Sequence, residues 1–259
     1  MANLKHIQEQ IKSVSSIQKV TKAMKMVAAA KLKRAQERME KARPYSDRLG
    51  LLINNLLMDD KLNDILPLLE KRDTIEKHAL LIITSDRGLA GSFNSNVIKN
   101  AEDKIIKLGK DNVTLFCIGK KCYEYFTNRH YTVDYTYGNT WNDLDYNQAM
   151  IIGKSLVKSY LNKNFDSLHI IYNYFKNAAT QEVLYSQLLP ITFEKQEEIN
   201  NNDIIYEPSK SEIIKTLVPK FFNTQIWQFL LESFASEQAA RMLAMENATE
   251  NAKEMISEL

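Results

Sequence analysis

The chain has 259 residues, 44% hydrophobic and 25% charged, the make-up of an ordinary folded protein with one large domain or two small ones. Thirty-four Lys and Arg against 32 Asp and Glu leave a net charge of +2, so the whole molecule is not a polycation, and no uninterrupted apolar window is long enough to span a membrane. Two cysteines, Cys117 and Cys122, are too few for a disulfide framework or a four-ligand zinc site.

Residues 1–43 carry eleven Lys or Arg against three Glu, and from Lys19 to Arg34 there are six bases and no acid. Apolar residues recur there at Leu4, Ile7, Ile11, Val14, Ile17, Val20, Met24, Ala28, Leu32, Ala35, Met39 and Ala42, a spacing close to the coiled-coil repeat. The first 25 residues imitate a mitochondrial transit peptide in composition, but the repeat runs on past Lys25, so they read as structure. Pro44 is expected to end or kink this helix, with resumption over Leu49, Leu52, Ile53, Leu56 and Leu57. Residues 2–43 alone make a rod of roughly 60 Å, too long to be folded inside a globule of this size, so part of it projects.

The middle changes character. Runs at 78–84 (HALLIIT), 113–119 (VTLFCIG), 131–137, 168–175 (LHIIYNYF) and 182–190 read as strands, and 96–108, 120–129 and 146–162 as the helices between them. This alternation predicts an α/β sheet with helices on its faces. Residues 195–203 (KQEEINNND) read as a polar surface loop, and Glu207-Pro208 as the hinge into a last helix. That helix repeats its apolar residues at Ile226, Leu230, Met242, Met245, Thr249, Ala252, Ile256 and Leu259, and 232–259 holds six Glu against Arg241 and Lys253. A basic arm at one end and an acidic arm at the other suit an antiparallel coiled coil. The organisation is therefore an N-terminal arm over 1–58, an α/β unit over 75–207 and a C-terminal arm over 208–259.

Candidate chemistry is sparse. The turn 85–94 leads from a strand into a helix and holds Gly88 and Gly91, so its amides could meet a phosphate. It is neither of the standard glycine-rich nucleotide loops, and the structural alternative is a tight turn with Ser92 or Asn94 as helix cap. Asp86 and Arg87 form an acid–base pair in sequence, but adjacent loop residues generally point apart. The four histidines, His6, His78, His130 and His169, share no metal-binding spacing. Cys117 and Cys122 read as small buried apolar residues. No nucleophile, base and orienter come together. The basic stretch 19–34 is open to nucleic-acid phosphates or to an acidic protein surface. Its Ala28-Ala29-Ala30 run narrows the helix on every side, as passage through a sleeve requires.

Three segments resemble one family. Residues 21–36 (TKAMKMVAAAKLKRAQ), 85–96 (SDRGLAGSFNSN) and 233–252 (SFASEQAARMLAMENATENA) are similar, in order and spacing, to the signature segments of the gamma subunits of F-type ATP synthases. The resemblance implies a long antiparallel coiled coil of the terminal helices plus a central Rossmann-like α/β domain. It also implies a non-catalytic rotor without a cofactor, standing inside a ring of three alpha and three beta subunits. The foot would join the epsilon subunit and the c-subunit ring, coupling ion translocation to ATP synthesis or hydrolysis. Carried over residue by residue, Lys22, Met24, Lys25, Lys31, Lys33, Arg34, Arg87, Gln238 and Arg241 face the ring, and Tyr206 and Glu207 face epsilon and the c ring. The chain would be a peripheral membrane protein on the cytoplasmic face of a bacterial plasma membrane, with no nucleic-acid partner.

Three departures accompany the resemblance. The family has a further helical stretch with an Ile-Thr-x-Glu motif beyond the position of Leu259. Ala90 stands where its members have a loop cysteine, and no cysteine-bearing regulatory insert is present. A variant rotary ATPase without the usual membrane sector, a nucleotide-binding α/β protein with a helical arm, and a nucleic-acid or scaffold protein are the alternatives.

Overall fold

The computed structural model describes residues 2–57, 66–70, 72, 74–137, 141, 144–193 and 206–259; the polar loop expected over 195–203 lies outside them. Two long helices, α1 (Ala2–Leu57) and α5 (Lys210–Glu258), flank the α/β unit. At 1.5 Å per residue they are about 84 and 74 Å long. They pair antiparallel: Thr21 meets Thr249, Lys25 meets Glu246, Leu32 and Ala35 meet Ala235 and Ala239, and Gly50 lies against Phe221. Rising along α1 therefore means descending along α5.

The seam departs from the apolar repeat in one stretch. Ile17 and Val20, which the repeat places inside, are 52% and 57% exposed, and Leu4 is also exposed. The less exposed side of α1 passes instead through Val14, Gln18, Thr21 and Lys25 before returning to Ala28 and Leu32. The polar ends in this stretch are satisfied across the seam: the Thr21 and Thr249 hydroxyls lie 2.7 Å apart and Lys25 Nζ donates to Glu246 Oε1 at 2.5 Å. Polar seam positions of this kind fix register, and they leave Ile17, Val20 and Val27 as an apolar stripe on the outside.

Pro44 does not interrupt α1. The proline forfeits only the hydrogen bond to the carbonyl of Glu40, and both residues face solvent, where water can replace it. Beyond it Leu49, Ile53 and Leu56 are buried against α5 residues Val218, Phe221 and Phe222 and against the sheet. Each such burial is worth about 1.5–3 kcal/mol, enough to carry the helix on. Helix α5 begins just past Glu207-Pro208, with Ser209 as N-cap accepting from the Glu212 amide at 3.2 Å.

Between the arms lie β1 (His78–Ile83), α2 (Phe93–Leu108), β2 (Val113–Ile118), α3 (Lys120–Thr127), β3 (Val133–Tyr137), α4 (Tyr146–Leu161), β4 (Ser167–Phe175) and β5 (Gln181–Leu189). The sheet order is β3-β2-β1-β4-β5, parallel except for the antiparallel edge strand β5. On one face Leu80, Ile82, Leu115 and Cys117 pack on α2 and α3. On the other Leu81, Ile83, Phe116 and Ile170 pack on α4, α5 and the end of α1. Buried on both faces, the central strands read as continuous apolar runs rather than alternating ones. The foot and the rod thus share one core through α5.

The sheet's lower edge is tied by Arg72. Its guanidinium donates to the carbonyls of Phe165 and Tyr160 at 2.8 and 2.9 Å and to Asp166 Oδ1 at 2.6 Å. Burial works to raise the Asp166 carboxyl, but the Lys77 amide, Arg72 and the Glu76 amide together hold it below the usual carboxylate range.

Candidate functional site at the neck

In a sheet of this order, ligands bind in the crevice beyond the carboxyl ends of β1 and β4, where the crossovers change direction. Here α5 occupies that crevice. Ser236 Oγ donates to the Asn173 carbonyl at the end of β4 (3.0 Å), and Asn173 Nδ2 donates to the Phe93 carbonyl in the first turn of α2 (3.1 Å). Ala90 and Phe93 pack against Ala240 of α5.

The turn after β1 is equally committed to itself. Asp86 Oδ1 accepts the Lys120 amide at 2.9 Å and so holds the first turn of α3, a position where an anion is favoured. Asn94 Oδ1 accepts the Ser85 amide at 2.9 Å, and the Ser85 hydroxyl donates to the Arg87 carbonyl at 2.6 Å. Of the two residues expected as cap, Ser92 occupies the N-cap position of α2 but makes no side-chain cap bond, and Asn94 closes the turn instead. Gly119, with φ +92°, completes the arrangement: a Cβ there would lie 2.1 Å from the Thr84 carbonyl oxygen. A phosphate would have to displace the protein's own carboxylate and helix.

This rigid turn is pinned to the shaft. Arg241 on α5 donates from Nη2 to the Gly88 carbonyl at 3.2 Å and pairs through Nη1 with Glu237 Oε1 at 2.7 Å. Glu237 is only 5% exposed, and burial raises its carboxyl above the usual range against the pull of Arg241. Trp141 stacks on Phe234 of α5 with centroids 5.8 Å apart, and its indole N–H donates to the Thr84 carbonyl at 2.9 Å. Leu89, at the tip of the turn with φ +61°, points its side chain to solvent.

The structure brings Met24, Lys31, Arg87, Gln238 and Arg241 around one cleft of about 530 Å³ between α1, the turn and α5. Lys22 and Lys25 line a separate groove on α1 and α5 nearer the far end of the rod, where Lys25 is committed to Glu246. Lys33 and Arg34 are exposed on α1. Gln238 is buried within the neck. At the foot, Tyr206 packs against the main core under the Lys210 ammonium, 5.4 Å from the ring centroid, while Glu207 is exposed.

Sequence reading missed Trp141, Phe234 and Asn173, each of which assembles the neck across a long stretch of chain, and the buried Glu237 that holds Arg241 within α5. It also missed that Val20, Val27 and Leu89 are presented rather than buried. Trp141 carries the one usable signal, as one of only two tryptophans. The histidines do not assemble a site: His169 stacks on Tyr185 at 4.7 Å, and burial, with His78 and Lys104 nearby, lowers its pKa to about 4. Among the described residues no helix is long and apolar enough to cross a membrane.

Comparison with known proteins accords with this architecture. The family model described as ATP synthase matches residues 3–259. The ATP synthase gamma chain of Chloroherpeton thalassium is 43% identical over 277 residues, covering 100% of this chain and 90% of the relative. That of Prosthecochloris aestuarii is 45% identical over 265 residues, covering 99% and 89%. Among solved structures, a chain of the central stalk and c-ring of Tetrahymena thermophila mitochondrial ATP synthase superposes with a TM-score of 0.70 at 27% identity, over 88% of this chain and 99% of that one. A chain of the Euglena gracilis mitochondrial ATP synthase rotor shares the fold, with a TM-score of 0.66 over 99% and 94%. With the family matched along almost the whole chain and the long paired helices in place, the chain belongs to the ATP synthase gamma-chain family.

Proposed function

We propose that the chain is the central rotor shaft of a rotary ATP synthase, turning within a ring of three alpha and three beta subunits and supplying no catalytic group. Its foot rests on the epsilon subunit and the c-subunit ring, with Tyr206 and Glu207 at that contact. The complex sits on the cytoplasmic face of a bacterial plasma membrane, the chain being peripheral to it. In this reading Lys22, Met24, Lys25, Lys31, Lys33, Arg34, Arg87, Gln238 and Arg241 meet the ring.

The supporting observation is the uncommitted surface around the neck. Lys22, Lys31, Lys33, Arg34 and Arg87 make no ion pair among the described residues, and Val20 and Val27 stand beside them exposed. This surface suits contacts that must form and break at each step. A shaft whose sides differ touches three identical catalytic sites differently at any instant, and only differential contact can shift conformational equilibria.

The test is mild affinity purification of the chain from its own cells, with subunit stoichiometry and ATPase activity of the eluate. Recovery with two nucleotide-binding proteins in threefold excess and ATP hydrolysis supports the reading. Recovery alone, or only with further copies of itself, contradicts it.

A further inference from the structure

We propose that the cleft between α1, the turn after β1 and α5 is a binding site for a small aromatic organic anion. Its volume, about 530 Å³, lies in the range of small-molecule sites. The walls are apolar and come from four parts of the chain: Val20, Met24 and Val27 on α1, Leu89 on the turn, Trp141 before α4 and Phe234 on α5. Trp141 and Phe234 are already stacked, with an interplanar angle of 11°, and the indole N–H is spent on Thr84, so together they present a preformed flat apolar surface.

The charged groups on the lining are not equivalent. Lys31 and Arg87 have exposed side chains with no ion pair or hydrogen bond among the described residues. The two acids are engaged: Asp86 Oδ1 holds the Lys120 amide, and Glu237 Oε1 holds Arg241. A ligand's acidic group therefore meets two uncommitted cations. Glu237 is 5% exposed and its second oxygen, Oε2, is buried with no protein partner. Having no accessible surface, that oxygen offers the ligand no contact, and Lys31 and Arg87 carry the recognition of its charge. Size, apolar walls and free cations thus describe one ligand chemistry.

The site does not depend on the rotor assignment, but its consequence does. In the reading proposed above, the turn and α1 face the ring on either side of this cleft, so a ligand seated there would obstruct rotation.

8-Anilinonaphthalene-1-sulfonate is a suitable probe, having two aromatic groups and one sulfonate. Titrated into the full chain and followed by fluorescence, it should saturate at one molecule per chain. Ala23→Trp fills the cleft from an exposed position on α1 and should weaken binding at least tenfold. Arg87→Ala should weaken it several-fold with an unchanged melting temperature, and this variant decides alone if Ala23→Trp fails to fold. Lys99→Ala, on α2, should change nothing. Absence of saturable binding, or undiminished affinity in the folded variants, overturns the proposal. Measuring ATPase inhibition in the assembled complex separates the two ideas. Inhibition over the same concentration range supports both, whereas binding to the chain without inhibition upholds the site and counts against the placement of this neck in the ring.

Discussion

Arg241 joins the turn to the shaft by one hydrogen bond and holds the buried Glu237 of its own helix, and replacing it with alanine should have a pH-dependent cost. The change removes the hydrogen bond to the Gly88 carbonyl and the 2.7 Å pair with Glu237, whose side chain is 6% exposed. Removing one partner of a buried pair costs about 3–5 kcal/mol when the other stays charged. Glu237 can escape part of this by binding a proton, because burial already raises its carboxyl above the ordinary value. A raised folded-state pKa means that the folded state holds its proton to higher pH than the unfolded one. That contribution to stability is complete below the unfolded value, about 4.3, and is lost as pH rises through the folded value. Without Arg241 the folded value rises further. The deficit of the variant against the parent should therefore be smaller at pH 5 and reach about 2–4 kcal/mol at pH 8. Urea unfolding followed by circular dichroism at the two pH values measures it, and Arg241→Ala/Glu237→Gln should recover part of the loss at pH 8. A deficit equal at both pH values, or below about 1 kcal/mol throughout, would refute the argument that a buried carboxylate is being stranded.

Further outcomes rest on the same geometry. Gly119→Ala combines a positive φ with a 2.1 Å approach to the Thr84 carbonyl, and should cost about 3 kcal/mol or more in thermal unfolding. Thr21→Val alone should cost about 1 kcal/mol, while Thr21→Val/Thr249→Val should be close to the parent, as a double-mutant cycle on unfolding free energies will show. Arg72→Ala should loosen the lower edge of the sheet by about 2–4 kcal/mol, visible as faster amide exchange in β1 and β4. Because the Asp166 carboxyl is lowered in the folded chain, its contribution to stability should be present above about pH 4 and disappear as pH falls through the folded value. Arg87→Ala, at an exposed position, should leave the melting temperature unchanged while lowering ATP-driven ion pumping relative to ATP hydrolysis in the assembled complex.

The sheet and the paired arms are legible in the sequence because each is written in a local period. The apolar run of β1 and the repeat through Ala28, Leu32 and Ala35 need no knowledge of their partners. Reading fails where exposure serves a surface. Ile17 and Val20 keep the repeat going on the outside of α1 while Gln18, Thr21 and Lys25 take the seam, since hydrophobicity alone cannot tell a core stripe from a presented one. Pro44 misleads for a related reason: the missing bond lies on the solvent side, and the packing of Ile53 and Leu56 outweighs it. The neck was legible only through resemblance. Its ties, Asp86 to Lys120, Trp141 to Thr84 and Arg241 to Gly88, span 34, 57 and 153 residues, and no local pattern announces them.

A rotor shaft must turn inside its ring. The most direct measurement is single-molecule rotation: the chain is assembled with its alpha and beta subunits, the ring is fixed to glass, and a bead is attached to the exposed end of the foot. With ATP supplied, the foot should rotate in one direction with three dwells per turn, and rotation should cease when ATP is withdrawn. An assembled ring that hydrolyses ATP while the foot stays still, or moves without direction, would contradict the rotor assignment.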